Sequence, residues 1–269
     1  MSSPEYILVI VEPSHDWHIT LERALITAKL REVPPKLHLF ICPDVENTDL
    51  KARNQGLYRD SKWLEELIKP ASDSGLDFDY EFCWTMEWSN AVLTCADRIK
   101  PDTIFIPDYE ASVRRNLFTN SKWDLLRHSS CPVMIVRPEA SSHRKVILAA
   151  MNIRTENQKY IDMNEKILEA SKRVSSFYGA EHYVINSYKD SMHYPDREQL
   201  LKFTGLPTEN VHLGEGDPAE VISAYADEIN ADMVIIGTMH RTGAAALMRG
   251  NTYEKVLSKV KQDILTLSW

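Results

Sequence analysis

Short apolar runs alternate along this chain with longer segments whose apolar residues recur every three or four positions. In the first half the runs are Tyr6 to Val11, Leu37 to Ile41, Phe78 to Trp84, Thr103 to Ile106 and Val133 to Val136, each the length of a buried strand. Between them, His18 to Arg31, Ser61 to Lys69, Asn90 to Ile99 and Ser121 to His128 carry helical spacing, such as Leu21, Leu25 and Ala28 on one stripe. Pro43 to Gly56 is a polar loop. The order then repeats. Strands are predicted at Val146 to Ala150, Tyr183 to Ile185, Val211 to Leu213, Met233 to Ile236 and Ile264 to Leu267. Helices are predicted at Glu156 to Phe177, Arg197 to Phe203, Ala219 to Ile229 and Asn251 to Lys259. Arg137 to Arg144, RPEASSHR, is polar with one proline and reads as a linker. Strictly alternating strands and helices demand a parallel sheet with helices on both faces. The expectation is therefore an α/β protein of two tandem doubly wound domains, residues 1–139 and 144–269.

The halves can be laid on each other. Asp102-Thr-Ile-Phe-Ile matches Asp232-Met-Val-Ile-Ile at an offset of 130, and Cys131 to Val136 matches Gln262 to Leu267 at 131. A tandem duplication is the simplest account. Two generic domains of this class would share the alternation, but not the aspartate.

The most informative stretch is Asp232 to Leu257, DMVIIGTMHRTGAAALMRGNTYEKVL. An apolar run is ended by Gly237, a small and polar loop follows with Gly243 and Gly250, and Asn251-Thr252 open a helical segment. Strand, glycine-bearing loop and helix start together build an anion site, because glycine lets amides approach a phosphate and the helix terminus adds unpaired donors. The same glycines also suit a tight strand-to-helix turn. This stretch resembles the universal stress protein family, which carries Gly, two residues, Gly, nine residues, Gly, then Ser or Thr after its fourth strand. Gly237 fits the first glycine and Gly250 the third, while His240 stands at the second. Arg241-Thr242-Gly243 and Gly250-Asn251-Thr252 match elements common in the family, as does Gly216-Asp217-Pro218-Ala219-Glu220-Val221-Ile222 upstream. The whole chain resembles a tandem member of the E type, more strongly after residue 145 than before it.

That resemblance implies five-stranded sheets of order 3-2-1-4-5, a cytoplasmic bacterial stress-response protein, and ATP or AMP with Mg²⁺ bound by the second half. Carried onto this sequence, the nucleotide-binding positions are Ala150, Asn152, Ile185, Gly216, Gly237, His240, Arg241, Gly243, Gly250, Asn251 and Thr252. Asn152 stands where the family often has Asp. The resemblance also implies pairing of the two closing strands as an internal pseudo-dimer, with a further homodimer open. In the first half Pro107, Glu110, Val113 and Asn120 stand in place of Gly237, His240, Gly243 and Gly250. Proline removes a donor and the acids oppose a phosphate, so the first half is expected not to bind nucleotide in this manner. Its Trp63, Trp84, Trp88 and Trp123 are core residues or the lining of a differently shaped pocket.

Composition narrows the rest. The net charge is −8, with 16 basic against 22 acidic residues in 1–142 and 15 against 17 after, which argues against nucleic acid as a partner. No apolar run reaches the ~18–20 residues of a membrane span, and MSSPEYILVIVEP lacks the basic start of a signal peptide. Cys42, Cys83, Cys95 and Cys131 form no C-x-x-C pair, and His15-Asp16-Trp17-His18 reads as surface and helix-cap residues, so no structural metal is expected. No G-x-S-x-G elbow, Walker A motif or paired Cys/His arrangement is present. Three functions compete. They are a nucleotide sensor acting on an unidentified protein partner, a module for another and partly apolar ligand or a scaffold, and at most a slow ATPase.

Overall fold

The computed structural model describes residues 4–43, 60–109, 120–153, 157–238 and 252–268. They divide into two compact units, one ending at Pro138 and the other starting at Glu139. The first unit holds β1 (Tyr6–Val11), α1 (Ile19–Lys29), β2 (Lys36–Ile41), α2 (Ser61–Ser74), β3 (Phe78–Phe82), α3 (Trp88–Ile99), β4 (Thr103–Pro107), α4 (Asn120–His128) and β5 (Val133–Val136). Its strands are all parallel, in the order β3-β2-β1-β4-β5. The second unit holds β6 (Val146–Met151), α5 (Gln158–Tyr178), β7 (Glu181–Tyr188), α6 (Arg197–Thr204), β8 (Val211–Glu215), α7 (Pro218–Glu228), β9 (Met233–Thr238), α8 (Thr252–Lys259) and β10 (Asp263–Ser268). Its order is β8-β7-β6-β9-β10, again parallel. Both match the order 3-2-1-4-5. Among the described residues no helix is long and apolar enough to cross a membrane.

Helices cover both faces of a parallel sheet, so its strands lose their polar alternation. Ile7 to Val11 and Ile147 to Ala149 are fully buried, and each Val, Leu or Ile side chain among them contributes roughly 1.5–3 kcal/mol through burial. The aspartate shared by the halves does the same task in each. Asp102 Oδ2 accepts the Tyr6 amide at 2.7 Å, and Asp232 Oδ2 accepts the Lys145 and Val146 amides at 2.7 and 3.0 Å. Each carboxylate thus ties the start of its unit's first strand to the start of the fourth.

Several boundaries depart from the periodicity. α2 runs through Pro70 to Ser74 rather than stopping at Lys69; Pro70 sits on its exposed side, where water can serve the carbonyl left without a partner. β3 ends at Phe82, which leaves Cys83 and Trp84 beyond it. β9 continues through Gly237 to Thr238, so Gly237 does not end the strand. The polar segment Arg137 to Arg144 is no simple linker either. Both terminal arginines are buried, Arg137 against Asp108 (Nε to Oδ2, 3.0 Å) and Arg144 against Asp263 (Nη2 to Oδ2, 3.0 Å). Buried guanidiniums need such partners to offset desolvation.

Candidate functional site

In the second unit the chain leaves β6 toward β7 on one side and returns through β9 on the other. That reversal is where open α/β sheets form a ligand crevice, beyond the carboxyl ends of the strands. The β6–β9 register runs from Ile147↔Met233 to Ala149↔Ile235, while the strands themselves continue to Met151 and Thr238. Ala150 is buried at this end and Asn152 is exposed just past it.

Two asparagines set the backbone there: Asn164, which sequence reasoning missed, and Asn186, whose position after the second strand it noted without the side-chain role. Asn164 on α5 accepts the Asn152 amide at 3.1 Å and donates back to the Asn152 carbonyl at 2.8 Å. Asn186 on β7 accepts the Ile153 amide at 2.9 Å and donates to the Ser187 carbonyl at 3.2 Å. Asn164 is buried and Asn186 fully so, and buried amides must satisfy both donor and acceptor ends. Their signal in the sequence was a polar residue at an apolar position: Asn164 beside Met163 on the inward stripe of a helix, and Asn186 at the end of Val184-Ile185.

The remaining expected positions fall into three groups. Gly237, Gly216 and Ile185 are placed, but in roles of packing and pairing. A Cβ on Gly237 would lie 2.5 Å from Cγ and Sδ of Met163 and 3.1 Å from Cδ1 of Ile167. The glycine therefore lets α5 press onto β9. Gly216 has φ +132°, and its amide is already given to the Tyr188 carbonyl at 2.8 Å. Asp217 then caps α7 by accepting the Ala219 amide at 3.0 Å, with Pro218 in the first turn. Ile185 is fully buried within β7, in register with Ala150 and His212, three residues short of the strand end. Thr252 opens α8, whose Tyr253, Val256 and Leu257 are buried. His240, Arg241, Gly243, Gly250 and Asn251 lie outside the described residues.

The first unit fills the corresponding place with charge. Asp108 follows β4, is fully buried, and gives its amide to the Val136 carbonyl at 2.8 Å. Its carboxylate meets Lys122 Nζ at 3.2 Å and Arg137 Nε at 3.0 Å, and both cations are buried. Beside it Tyr109 stacks on His15 at 3.7 Å between ring centroids and donates its hydroxyl to the Trp17 carbonyl at 2.6 Å. Burial lowers the His15 pKa and raises that of Tyr109, so both rings are neutral in this stack near neutral pH. His15 is thus engaged with a ring. Of the tryptophans, Trp88 is core, whereas Trp63 and Trp84 line a cavity of about 200 Å³ with Pro13, Asp60, Ser61, Leu64 and Phe82.

Residues 164–268 match the universal stress protein family. Universal stress protein E of Photorhabdus laumondii is 23% identical over 99% of this chain and 96% of its own length. A universal stress protein E homolog of Haemophilus influenzae is 23% identical over 96% of each chain. Among solved structures, a protein of unknown function from Pseudomonas aeruginosa PAO1 superposes with a TM-score of 0.81 at 22% identity, over 99% of this chain and 93% of that one. A universal stress protein from Archaeoglobus fulgidus gives 0.66 at 16% identity, over 98% and 96%. The second half thus matches the universal stress protein family, and along its full length, with its repeated fold, the chain is similar to tandem E-type members of that family.

Proposed function

We propose that the protein is a stress-response sensor whose second unit holds an adenine nucleotide, ATP or AMP with Mg²⁺, and whose first unit does not. The working domains are residues 1–139 and 144–269. The observation that carries this reading is the contrast at the switch point. Asn164 and Asn186 preset the backbone of 152–153 beside an exposed Asn152, and past its fourth strand, where the second unit has Thr238, the first unit has Asp108 paired with Lys122 and Arg137. The fit is partial. Asn152 and the start of α8 suit a polar, anionic ligand, and His240, Arg241, Gly243, Gly250 and Asn251 are the residues proposed to meet its phosphates. Gly216 and Gly237 contribute shape, since one amide is spent on the sheet and the other glycine makes room for Met163. The described side chains around residues 152–153 are the amides Asn152, Asn164 and Asn186, which supports binding over turnover.

Calorimetry with ATP and Mg²⁺ tests this on the full chain. Binding by the wild type, lost in Gly250→Asp with an unchanged urea midpoint, is the expected result. No heat with the wild type overturns it, and phosphate release above background would reinstate the ATPase. A second reading has its own support in the aromatic cavity of the first unit. Trp63, Leu64, Phe82 and Trp84 suit a small apolar group, as the ligand-module alternative requires. Quenching of tryptophan fluorescence by short-chain acyl compounds, abolished in Trp84→Ala, would favour that reading.

A further inference from the structure

Away from both crevices, three side chains in the first unit converge from three elements. His38 lies on β2, Glu81 on β3 and Cys95 on α3. The β2–β3 register sets His38 opposite Asp79, and Glu81 follows Asp79 by two residues, so both acids share one face of the strand. Asp79 takes the Nδ1 side of His38; it is itself held by Lys36 Nζ at 2.8 Å and by the Tyr6 hydroxyl at 3.2 and 3.3 Å. That fixes the ring. Its other nitrogen, Nε2, is buried without a hydrogen-bond partner and lies 3.4 Å from Glu81 Oε1. Cys95 Sγ stands 3.2 Å from the same oxygen. The three candidate ligand atoms all lie within 4.8 Å of one another.

We propose that His38 Nε2, the Glu81 carboxylate and Cys95 Sγ form a Zn²⁺ site, with water as the fourth ligand. Tetrahedral zinc with bonds of about 2.0–2.3 Å sets its ligand atoms about 3.3–3.8 Å apart, close to the 3.4 and 3.2 Å separations already present. One nitrogen, one oxygen and one sulfur donor suit zinc better than the hard cations, which take oxygen alone. The Asp79–His38 contact supplies the carboxylate that normally orients a metal-bound imidazole. On binding, Cys95 releases its thiol proton to solvent and His38 coordinates as the neutral ring, with Nδ1–H given to Asp79. Arg98 is the rival cation. Its Nη2 contacts Glu81 and lies 3.6 Å from Cys95 Sγ, and its side chain is 56% exposed, so it can swing out as the ion enters. The second unit is an internal control. The strand registers and the offset of 130 put Tyr183, His212 and Tyr225 at the matching places, and His212 stacks on Tyr225 at 4.0 Å. One ring stack replaces the ligand set.

The test uses the full chain, stripped with chelator and dialysed against ZnCl₂, with bound metal counted by mass spectrometry. One zinc per chain is expected. Cys95→Ser should weaken it by about 100-fold, and Asp79→Asn by roughly 10–100-fold. Loading with Co²⁺ should give a thiolate-to-metal charge-transfer band that Cys95→Ser abolishes. Arg98→Ala alters only an exposed side chain and should tighten binding, which guards against variants that fail to fold. No zinc uptake, uptake unchanged in Cys95→Ser, a Co²⁺ spectrum without the thiolate band, or weaker binding in Arg98→Ala would each overturn the site.

Discussion

At the end of its fourth strand the first unit carries Asp108, Lys122 and Arg137; at the matching positions the second carries Thr238, Thr252 and Ser268. The frame is the same in both: the strand order, the aspartate tie and the placing of the helices repeat. The residues past the fourth and fifth strands differ. A buried carboxylate facing two buried cations holds its charge within the first unit, whereas Thr238 in the second unit is a buried neutral residue. A duplicated fold can thus change the charge at its strand ends through a few side chains without losing its sheet.

The strongest way to break the comparison is Asp108→Ala. It takes a buried carboxylate away from two buried cations and should destabilise the first unit by about 3–5 kcal/mol. Five of the six tryptophans, Trp17, Trp63, Trp84, Trp88 and Trp123, lie in that unit, so urea unfolding followed by fluorescence reads it selectively. Thr238→Val in the second unit should cost no more than about 1 kcal/mol. Similar losses in the two variants would mean that Asp108 is no plug.

Gly237→Ala comes next. The new methyl meets Met163 and should cost roughly 1–3 kcal/mol. Much of that loss should return in the double variant with Met163→Ala, a coupling readable in a thermal-denaturation cycle. If Met163→Ala brings nothing back, the glycine is needed for something other than packing.

The paired ties sharpen the equivalence of the halves. Asp102→Ala and Asp232→Ala each remove strand-end hydrogen bonds and should cost about 1 kcal/mol, in similar measure. Amide hydrogen exchange at Tyr6 and Val146 would show the local opening. A large inequality would end the claim that the aspartate has one inherited role.

The smallest effect at neutral pH belongs to His182, whose place in the first unit is taken by Leu37. Burial, then the Lys172 charge, depresses its pKa to about 4. The unfolded chain therefore takes up this proton first, and stability falls as pH drops from about 6.5 toward 4. His182→Leu should flatten that slope for the second unit in chemical denaturation across this range and leave the first unit unchanged.

Much of the frame was legible because it depends on periodicity. Short apolar runs and amphipathic segments specified the ten strands among the described residues and the order of their helices, and the shared aspartate marked the repeat. The site was less legible. Gly216 and Gly237 were expected among the nucleotide-binding positions, and their packing and turn roles were not legible from spacing. Asn164 and the side-chain role of Asn186 were not legible, because one polar residue among apolar neighbours looks like noise. Arg137 and Arg144, in a segment that reads as solvated, are buried. His38, Glu81 and Cys95 are 43 and 14 residues apart, with no motif to join them.

By itself, the sequence determined which segments are strands, which are helices and that the chain says the same thing twice, because patterns of burial are written at spacings of two and three to four residues. Only the tertiary structure decided which polar groups meet inside. Those meetings depend on strand register and helix docking across dozens of residues, and the energy of a buried charge or amide is set by the partner it finds there.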